Sequence, residues 1–184
     1  MLNKTILAAA LIGLSSSALA DNFKLASTDI SHGNFMPKTQ EFNGFGCTGD
    51  DKSPQLKWTG APKGTKSFAV TVHDADAPTG SGWWHWQIIN IPASVTELKA
   101  GAGDKSGKFK PASSQQIEND YGVAAFGGAC PPSGHGAHKY KFTVHALSVE
   151  KLELPQNASG ALTGYMINAN SIETATIEAL YKRD

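Results

Sequence analysis

Three short segments carry side chains that can exchange protons, donate hydrogen bonds or ligate a metal ion. The first places two carboxylates, Asp74 and Asp76, directly after an apolar run. The second, residues 82–86, holds three tryptophans and a histidine. The third, residues 131–140, opens with a stiff Pro-Pro turn and ends in His-Lys-Tyr. Carboxylate, imidazole and phenol groups suit acid–base chemistry, metal binding or anion binding, provided that the fold brings the segments together.

Each of these segments adjoins a pattern typical of a β-strand. Residues 67–73 and 139–147 alternate between apolar and polar side chains, and residues 84–91 are rich in β-branched and aromatic ones before Pro92. The apolar faces predicted for the two alternating strands are Phe68, Val70 and Val72, and Tyr140, Phe142, Val144 and Ala146.

The C-terminal part predicts a helix followed by another strand. The apolar stripe predicted for the helix comprises Ala161, Leu162, Tyr165, Met166, Ala169 and Ile172. Residues 175–181 then return to a strand pattern. Together these patterns predict a mainly β fold, an antiparallel β-sandwich with one or two C-terminal helices.

Composition excludes several functional classes. The chain has 184 residues, and its 16 basic residues balance 16 acidic ones. This balance argues against a dedicated nucleic-acid binder and against a polybasic membrane-surface protein. With 40% hydrophobic and 17% charged residues, the composition is globular. The length favours one domain.

The N-terminus has the pattern of a secretory signal peptide. A short basic start precedes a mostly apolar run over residues 5–14, and residues 18–20 read Ala-Leu-Ala. We expect cleavage after Ala20, a single mature domain over residues 21–184, and a periplasmic or secreted location. The apolar run is short for a membrane span, so no integral membrane anchor is expected.

Export also changes the interpretation of the two cysteines, Cys47 and Cys130. An even count in an oxidising compartment favours a disulfide, although a pair of free buried thiols is the alternative. An unstrained bridge across so long a loop would contribute about 4 kcal/mol in the chain-entropy description.

The ordered motifs resemble the phosphatidylethanolamine-binding protein family, specifically its bacterial Raf-kinase-inhibitor-like branch (the YbhB/YbcL type). Residues 74–78 are similar to the family's D-P-D-A-P signature, with Ala75 in place of proline. Residues 83–86 match its W-x-H element. Residues 131–140 resemble the remainder of G-P-P-x-x-x-G-x-H-x-Y, and Cys130 stands where that signature begins with glycine.

This resemblance implies a large antiparallel sheet packed on a smaller one, with a C-terminal helix nearby. It also implies a small surface pocket for anions such as phosphate or a phospholipid headgroup, and a possible protein target, a kinase or a protease. Asp76 would support the loop. The ligand-binding residues carried over by position are Asp74, Trp83, His85, Pro131, Pro132, His138 and Tyr140.

The residue chemistry agrees with an anion pocket. Two imidazoles and a tyrosine hydroxyl can donate to phosphate oxygens. Asp74 either holds a histidine in one tautomer and favours its charged form, or accepts from a protonated phosphate oxygen or an ammonium headgroup. No Lys or Arg occupies a matched position. Binding should therefore strengthen toward mild acid, where histidine becomes charged.

Three functional hypotheses stay open. The leading one is a non-catalytic binding or inhibitory module without a cofactor, since no G-x-S-x-G nucleophile elbow is present. The second is a metal-dependent hydrolase using Asp74, His85 and His138, with His135 as an extra ligand. The third is protein docking through the Trp-rich rim. The histidines without a matched role are by default surface or structural: His32, His73, His135 and His145.

Overall fold

The computed structural model describes residues 23–184, so the predicted signal peptide over residues 1–20 lies outside the described residues. The described chain is built mainly of antiparallel strands, with one α-helix. The elements are β1 (Lys24–Ala26), β2 (Asn43–Gly44), β3 (Cys47–Thr48), β4 (Leu56–Thr59), β5 (Ser67–Asp74), β6 (Trp83–Pro92), β7 (Glu97–Leu98), β8 (Gln115–Ile117), β9 (His138–Leu147), α1 (Gly160–Asn170) and β10 (Ser171–Tyr181).

Two sheets form the predicted sandwich. The large sheet has the order β10-β9-β5-β6-β8, and the small sheet has the order β1-β4-β7. The rings of Trp58 on β4 and Phe68 on β5 lie 5.2 Å apart across the interface. The apolar faces predicted for β5 and β9 belong to this core, so the alternation identified the buried side correctly.

The helix covers the other face of the large sheet, but it does so with a different side from the predicted one. Its buried residues are Gly160, Thr163 and Ile167, whereas Leu162 and Tyr165 are exposed. The reason is steric. A Cβ atom at Gly160 would lie 2.7 Å from the Trp84 ring, so only glycine fits at that point of the contact, and Thr163 and Ile167 complete the buried face. Among the described residues, no helix is long and apolar enough to cross a membrane.

The predicted disulfide forms between Cys47 and Cys130, which are 83 residues apart. It ties the β2–β3 hairpin to the segment that begins at Pro131. Phe45 and Gly46, at the hairpin tip, both have positive φ angles, as a tight hairpin turn requires. Phe45 is 74% exposed beside the disulfide.

Candidate functional site

Strand pairing brings the three polar segments to one end of the large sheet. Asp74, the last residue of β5, lies opposite Trp83 on β6 and opposite Tyr140 on β9. His138 opens β9, and His85 lies two residues into β6. Because β5 lies between β6 and β9, residues far apart in the sequence meet around its end.

A buried ion-pair partner positions His138. Its Nδ1–H donates to Asp74 Oδ2 across 2.7 Å, and both side chains are 3% exposed. The other carboxylate oxygen, Asp74 Oδ1, accepts from the backbone N–H of Asp76 across 2.9 Å. Asp76 in turn accepts from the backbone N–H of Lys139. Asp74 therefore fixes the imidazole, and Asp76 joins the β5–β6 loop to the start of β9.

His85 is held by the backbone on the opposite wall. Its Nδ1–H donates to the carbonyl oxygens of Gly127 and Gly128, at 2.8 and 3.1 Å. Burial lowers the pKa of His85 to about 4, although the Gly127 bond and the Asp74 charge act in the opposite direction. At neutral pH the ring is therefore uncharged, and its one proton is already engaged. The sequence had suggested two imidazoles that donate to a ligand; the structure leaves His138 as the one able to do so, and only with a second proton, because its Nδ1–H is engaged by Asp74.

A pocket of about 200 Å³ opens between these residues. It includes every predicted ligand-binding residue, whereas Asp76 supports the pocket from outside. The lining residues are Phe45, Asp74, Ala77, Pro78, Thr79, Trp83, His85, Tyr121, Cys130, Pro131, Pro132, His138 and Tyr140.

The sequence did not identify the aromatic side of the pocket. Tyr121 stacks on Phe42 with ring centroids 4.0 Å apart and meets Trp83 edge-on at 5.2 Å. Its hydroxyl donates to the Gly128 carbonyl. Tyr121 lies in an irregular loop, and Phe45 in a hairpin that the disulfide brings to the pocket, so neither residue carried a local signal.

Two hydrogen-bond donors in the pocket wall are buried without a partner among the described residues. They are the Tyr140 hydroxyl and the Trp83 indole Nε1–H. Burial, followed by the negative charge of Asp74 and a weak interaction of the hydroxyl with that carboxylate, raises the pKa of Tyr140 above its ordinary range, so the phenol keeps its proton. A buried donor without an acceptor destabilises the folded state, and a ligand that supplies the acceptor removes this cost.

The three tryptophans of the second segment have separate structural roles. Trp86 is fully buried in the core, and the Trp84 ring lies against the helix glycines. Trp83 alone lines the pocket. The pattern that looked like one aromatic cluster therefore serves the core, the helix contact and the pocket rim.

One histidine without a predicted binding role approaches the site. His135 Nδ1 lies 3.1 Å from His138 Nε2, so one of these two nitrogens carries the proton between them. His145 is buried elsewhere on β9 with Thr71 as its partner, and His73 contacts the Ser81 carbonyl. His135 thus competes with any ligand for the pocket-facing nitrogen of His138.

The geometry bears on the metal hypothesis. Over residues 23–184, no group of three or more His, Cys, Asp or Glu side chains is arranged to hold a metal ion. Asp74, one of the three proposed ligands, uses its carboxylate oxygens on His138 and on the Asp76 backbone. The pocket lining contains no Lys or Arg.

Comparison with known proteins identifies the family. The family model described as phosphatidylethanolamine-binding protein matches residues 26–182. This chain belongs to the phosphatidylethanolamine-binding protein family. The resemblance drawn from the motifs is therefore confirmed.

Bacterial members of the family are close in sequence and in structure. The chain is 53% identical to the protein YbcL of Escherichia coli over 166 residues, covering 90% of this chain and 91% of YbcL. It is 45% identical to E. coli YbhB over 159 residues, covering 86% and 99%. The crystal structure of E. coli YbcL, described as a new member of the mammalian family, superposes with a TM-score of 0.86 at 52% identity, covering 88% of this chain and 99% of that one.

Proposed function

We propose that this protein is an exported, non-catalytic binding module whose pocket holds a small anion, such as phosphate or a phospholipid headgroup. The observation that carries the proposal is the pocket itself. It places the His138–Asp74 pair beside the buried donors of Tyr140 and Trp83, which have no partner among the described residues. An anionic oxygen is the acceptor that these donors need.

The charges in the pocket favour an anion only when His138 carries a second proton. Asp74 is a fixed negative charge, and with His138 neutral it opposes an incoming anion. A proton on His138 Nε2 removes this net charge and adds a charged donor, because Nδ1–H is already committed to Asp74. The anion must then displace His135 Nδ1, which lies 3.1 Å from Nε2. Acidification therefore strengthens binding, as expected from the sequence.

Calorimetric titration of the mature, oxidised protein with phosphate and with phosphoethanolamine tests this function. We expect saturable binding that strengthens between about pH 7.5 and about pH 5.5, as histidine gains its proton. The ratio of wild-type to His138→Ala affinity should rise as the pH falls, whereas Lys141→Ala, an exposed change on the same strand, should bind as the wild type does at both pH values. The ionisation of the ligand cancels in this ratio because both proteins meet the same solution. Absence of binding at both pH values would exclude the proposed function.

Export and a regulatory role belong to the same proposal. Mass spectrometry of the protein purified from a bacterial periplasm should give a chain that begins at Asp21. A chain that retains Met1 and stays in the cytoplasm would exclude export. A kinase or protease target would engage the pocket face, so its binding should weaken when Phe45 or Pro132 at the pocket rim is replaced.

A further inference from the structure

The orientation of His85 decides which atom it offers to a ligand. Nδ1 faces the carbonyl oxygens of Gly127 and Gly128, which can only accept, so Nδ1 must carry a proton. The two ring nitrogens point in different directions, and His85 lines the pocket. Nε2 is therefore the nitrogen left for the pocket, and in the neutral ring it is a lone-pair acceptor.

The surroundings keep this ring neutral. Tyr140 on β9 and Tyr121 in its loop pack edge-on against His85, with centroids 5.0 and 5.6 Å away. From β5, Asp74 favours a charge on His85 and His73 opposes it, and burial outweighs both, which holds the pKa at about 4. Above that pH the pocket presents an acceptor at this wall.

An acceptor in an anion pocket selects the protonation state of the anion. A fully deprotonated oxygen facing His85 Nε2 would bring two lone pairs together in a buried site. A phosphate that keeps one hydroxyl proton would instead donate to Nε2, while its other oxygens accept from His138 and Tyr140. Leaving a buried acceptor unmatched costs as much as a lost hydrogen bond, so this contact discriminates strongly.

We propose that the pocket takes its ligand as a singly protonated phosphate monoester or phosphonate, with the P–OH donating to His85 Nε2. This inference rests on the proposed function and specifies its ligand. It excludes phosphodiesters and sulfonates, which have no such proton at the pH of binding. The favoured source is a free phosphomonoester headgroup rather than an intact diester phospholipid.

Methylphosphonate and methanesulfonate form a matched pair of probes. They have the same shape, and at about pH 5, below the second phosphate pKa of about 6, each carries one negative charge. Only the phosphonate has a hydroxyl. We expect it to bind the mature protein at least about tenfold more tightly, the equivalent of one hydrogen bond to a buried group. Phosphoethanolamine, a monoester, should likewise bind more tightly than glycerophosphoethanolamine, a diester. This comparison shows which of the two ester classes the pocket prefers.

Variants assign the preference to one side chain. His85→Ala should bind the two probes within about twofold of each other, because the acceptor is gone. The matched control is His145→Ala, which removes another buried neutral histidine away from the pocket and should keep the preference. If His85→Ala does not fold, the ring ¹⁵N shifts of wild-type His85 replace it: Nε2 should change from a free to a hydrogen-bonded acceptor with methylphosphonate and stay unchanged with methanesulfonate.

The outcomes separate this inference from the function on which it rests. Equal affinity for both probes in the wild-type protein would overturn the acceptor role of His85 and leave the anion pocket standing. A preference that survives His85→Ala would also overturn it. Binding of neither probe, nor of phosphate, would overturn the pocket's proposed function as well.

Discussion

Asp74→Asn should change the pH dependence of anion binding through the tautomer of His138. Asp74 Oδ1 accepts from the Asp76 backbone N–H, so the asparagine oxygen must occupy that position. The new amide NH₂ then takes the place of Oδ2, 2.7 Å from His138 Nδ1 in the wild-type protein. A donor facing Nδ1 requires a lone pair there, so the imidazole proton moves to Nε2, where it faces His135 Nδ1 and can be donated to a ligand that displaces His135.

The expected gain in affinity for phosphate follows from this change of tautomer and charge. In the wild-type protein with neutral His138, the Nε2 lone pair accepts from His135 Nδ1–H, so an anion meets no donor on this ring and also meets the Asp74 charge. In the variant it meets an N–H donor and no charge. One hydrogen bond to a charged group is worth about 1.5–3 kcal/mol, so phosphate should bind the variant at least about tenfold more tightly at neutral pH. The difference should shrink as the pH falls, because a protonated imidazole donates from both ring nitrogens.

Calorimetric titration with phosphate at about pH 7.5 and at about pH 5.5, on either side of the ordinary histidine pKa, measures this ratio. The ionisation of the ligand cancels because both proteins meet the same solution. The matched control is Asp76→Asn, which makes the same charge change at a carboxylate outside the pocket lining that accepts from Lys139. Loss of binding in a folded Asp74→Asn variant at both pH values would refute the reasoning. It would favour the alternative in which Asp74 itself accepts a hydrogen bond from the ligand.

Three further predictions concern stability, each measured by urea denaturation. Reducing the disulfide should lower the free energy of unfolding by about 4 kcal/mol, because the bridge joins residues that are 83 positions apart. Gly128→Ala should cost about 1–3 kcal/mol, since its Cβ would lie 2.5 Å from the Gln40 carbonyl oxygen, whereas Gly80→Ala, with nothing nearby, should cost nothing measurable. Acid should destabilise the fold as the pH falls from about 6.5 to 4, because His85 and His145 have a folded-state pKa of about 4 and the unfolded chain binds more protons in that window. His145→Leu should flatten that dependence.

Each stability prediction has a contrary outcome. An unchanged unfolding free energy after reduction would mean that the disulfide does not constrain the unfolded chain. Equal effects of the two glycine substitutions would contradict the close packing behind His85. A His145→Leu variant with the wild-type slope between the two pH limits would show that His145 is not held neutral in the folded state.

Most of the fold could be predicted because alternation reports directly on burial in a sheet. The alternation around Phe68 and Val70 predicted which side chains face the interior, and these side chains are buried in the core between the two sheets. The helix face could not be predicted in this way. Its apolar residues Leu162 and Tyr165 are on the solvent side, whereas Gly160, Thr163 and Ile167 are buried. The Trp84 ring leaves no room for a side chain at Gly160, a tertiary constraint that hydrophobic periodicity does not express.

The candidate site could likewise be predicted only in part. Its polar residues lie at one end of neighbouring strands, and the family resemblance of the motifs implied that Asp74, His85 and His138 line one pocket. The position of the proton on His85 depends on two backbone carbonyls from a distant loop. The contact of His85 with Gly127 reverses its expected role from donor to acceptor, and no feature of the sequence near either residue indicates that contact.

The most direct test of the central claim, that this pocket binds small phosphorylated anions, is a ¹H–¹⁵N NMR titration of the mature, oxidised protein with phosphoethanolamine in mild acid. Saturable chemical-shift changes should cluster on Asp74, His85, His138 and Tyr140, and they should become smaller as the pH is raised. Shifts confined to other surfaces, or none at saturating ligand, would contradict the account and leave the family motifs with a structural role alone.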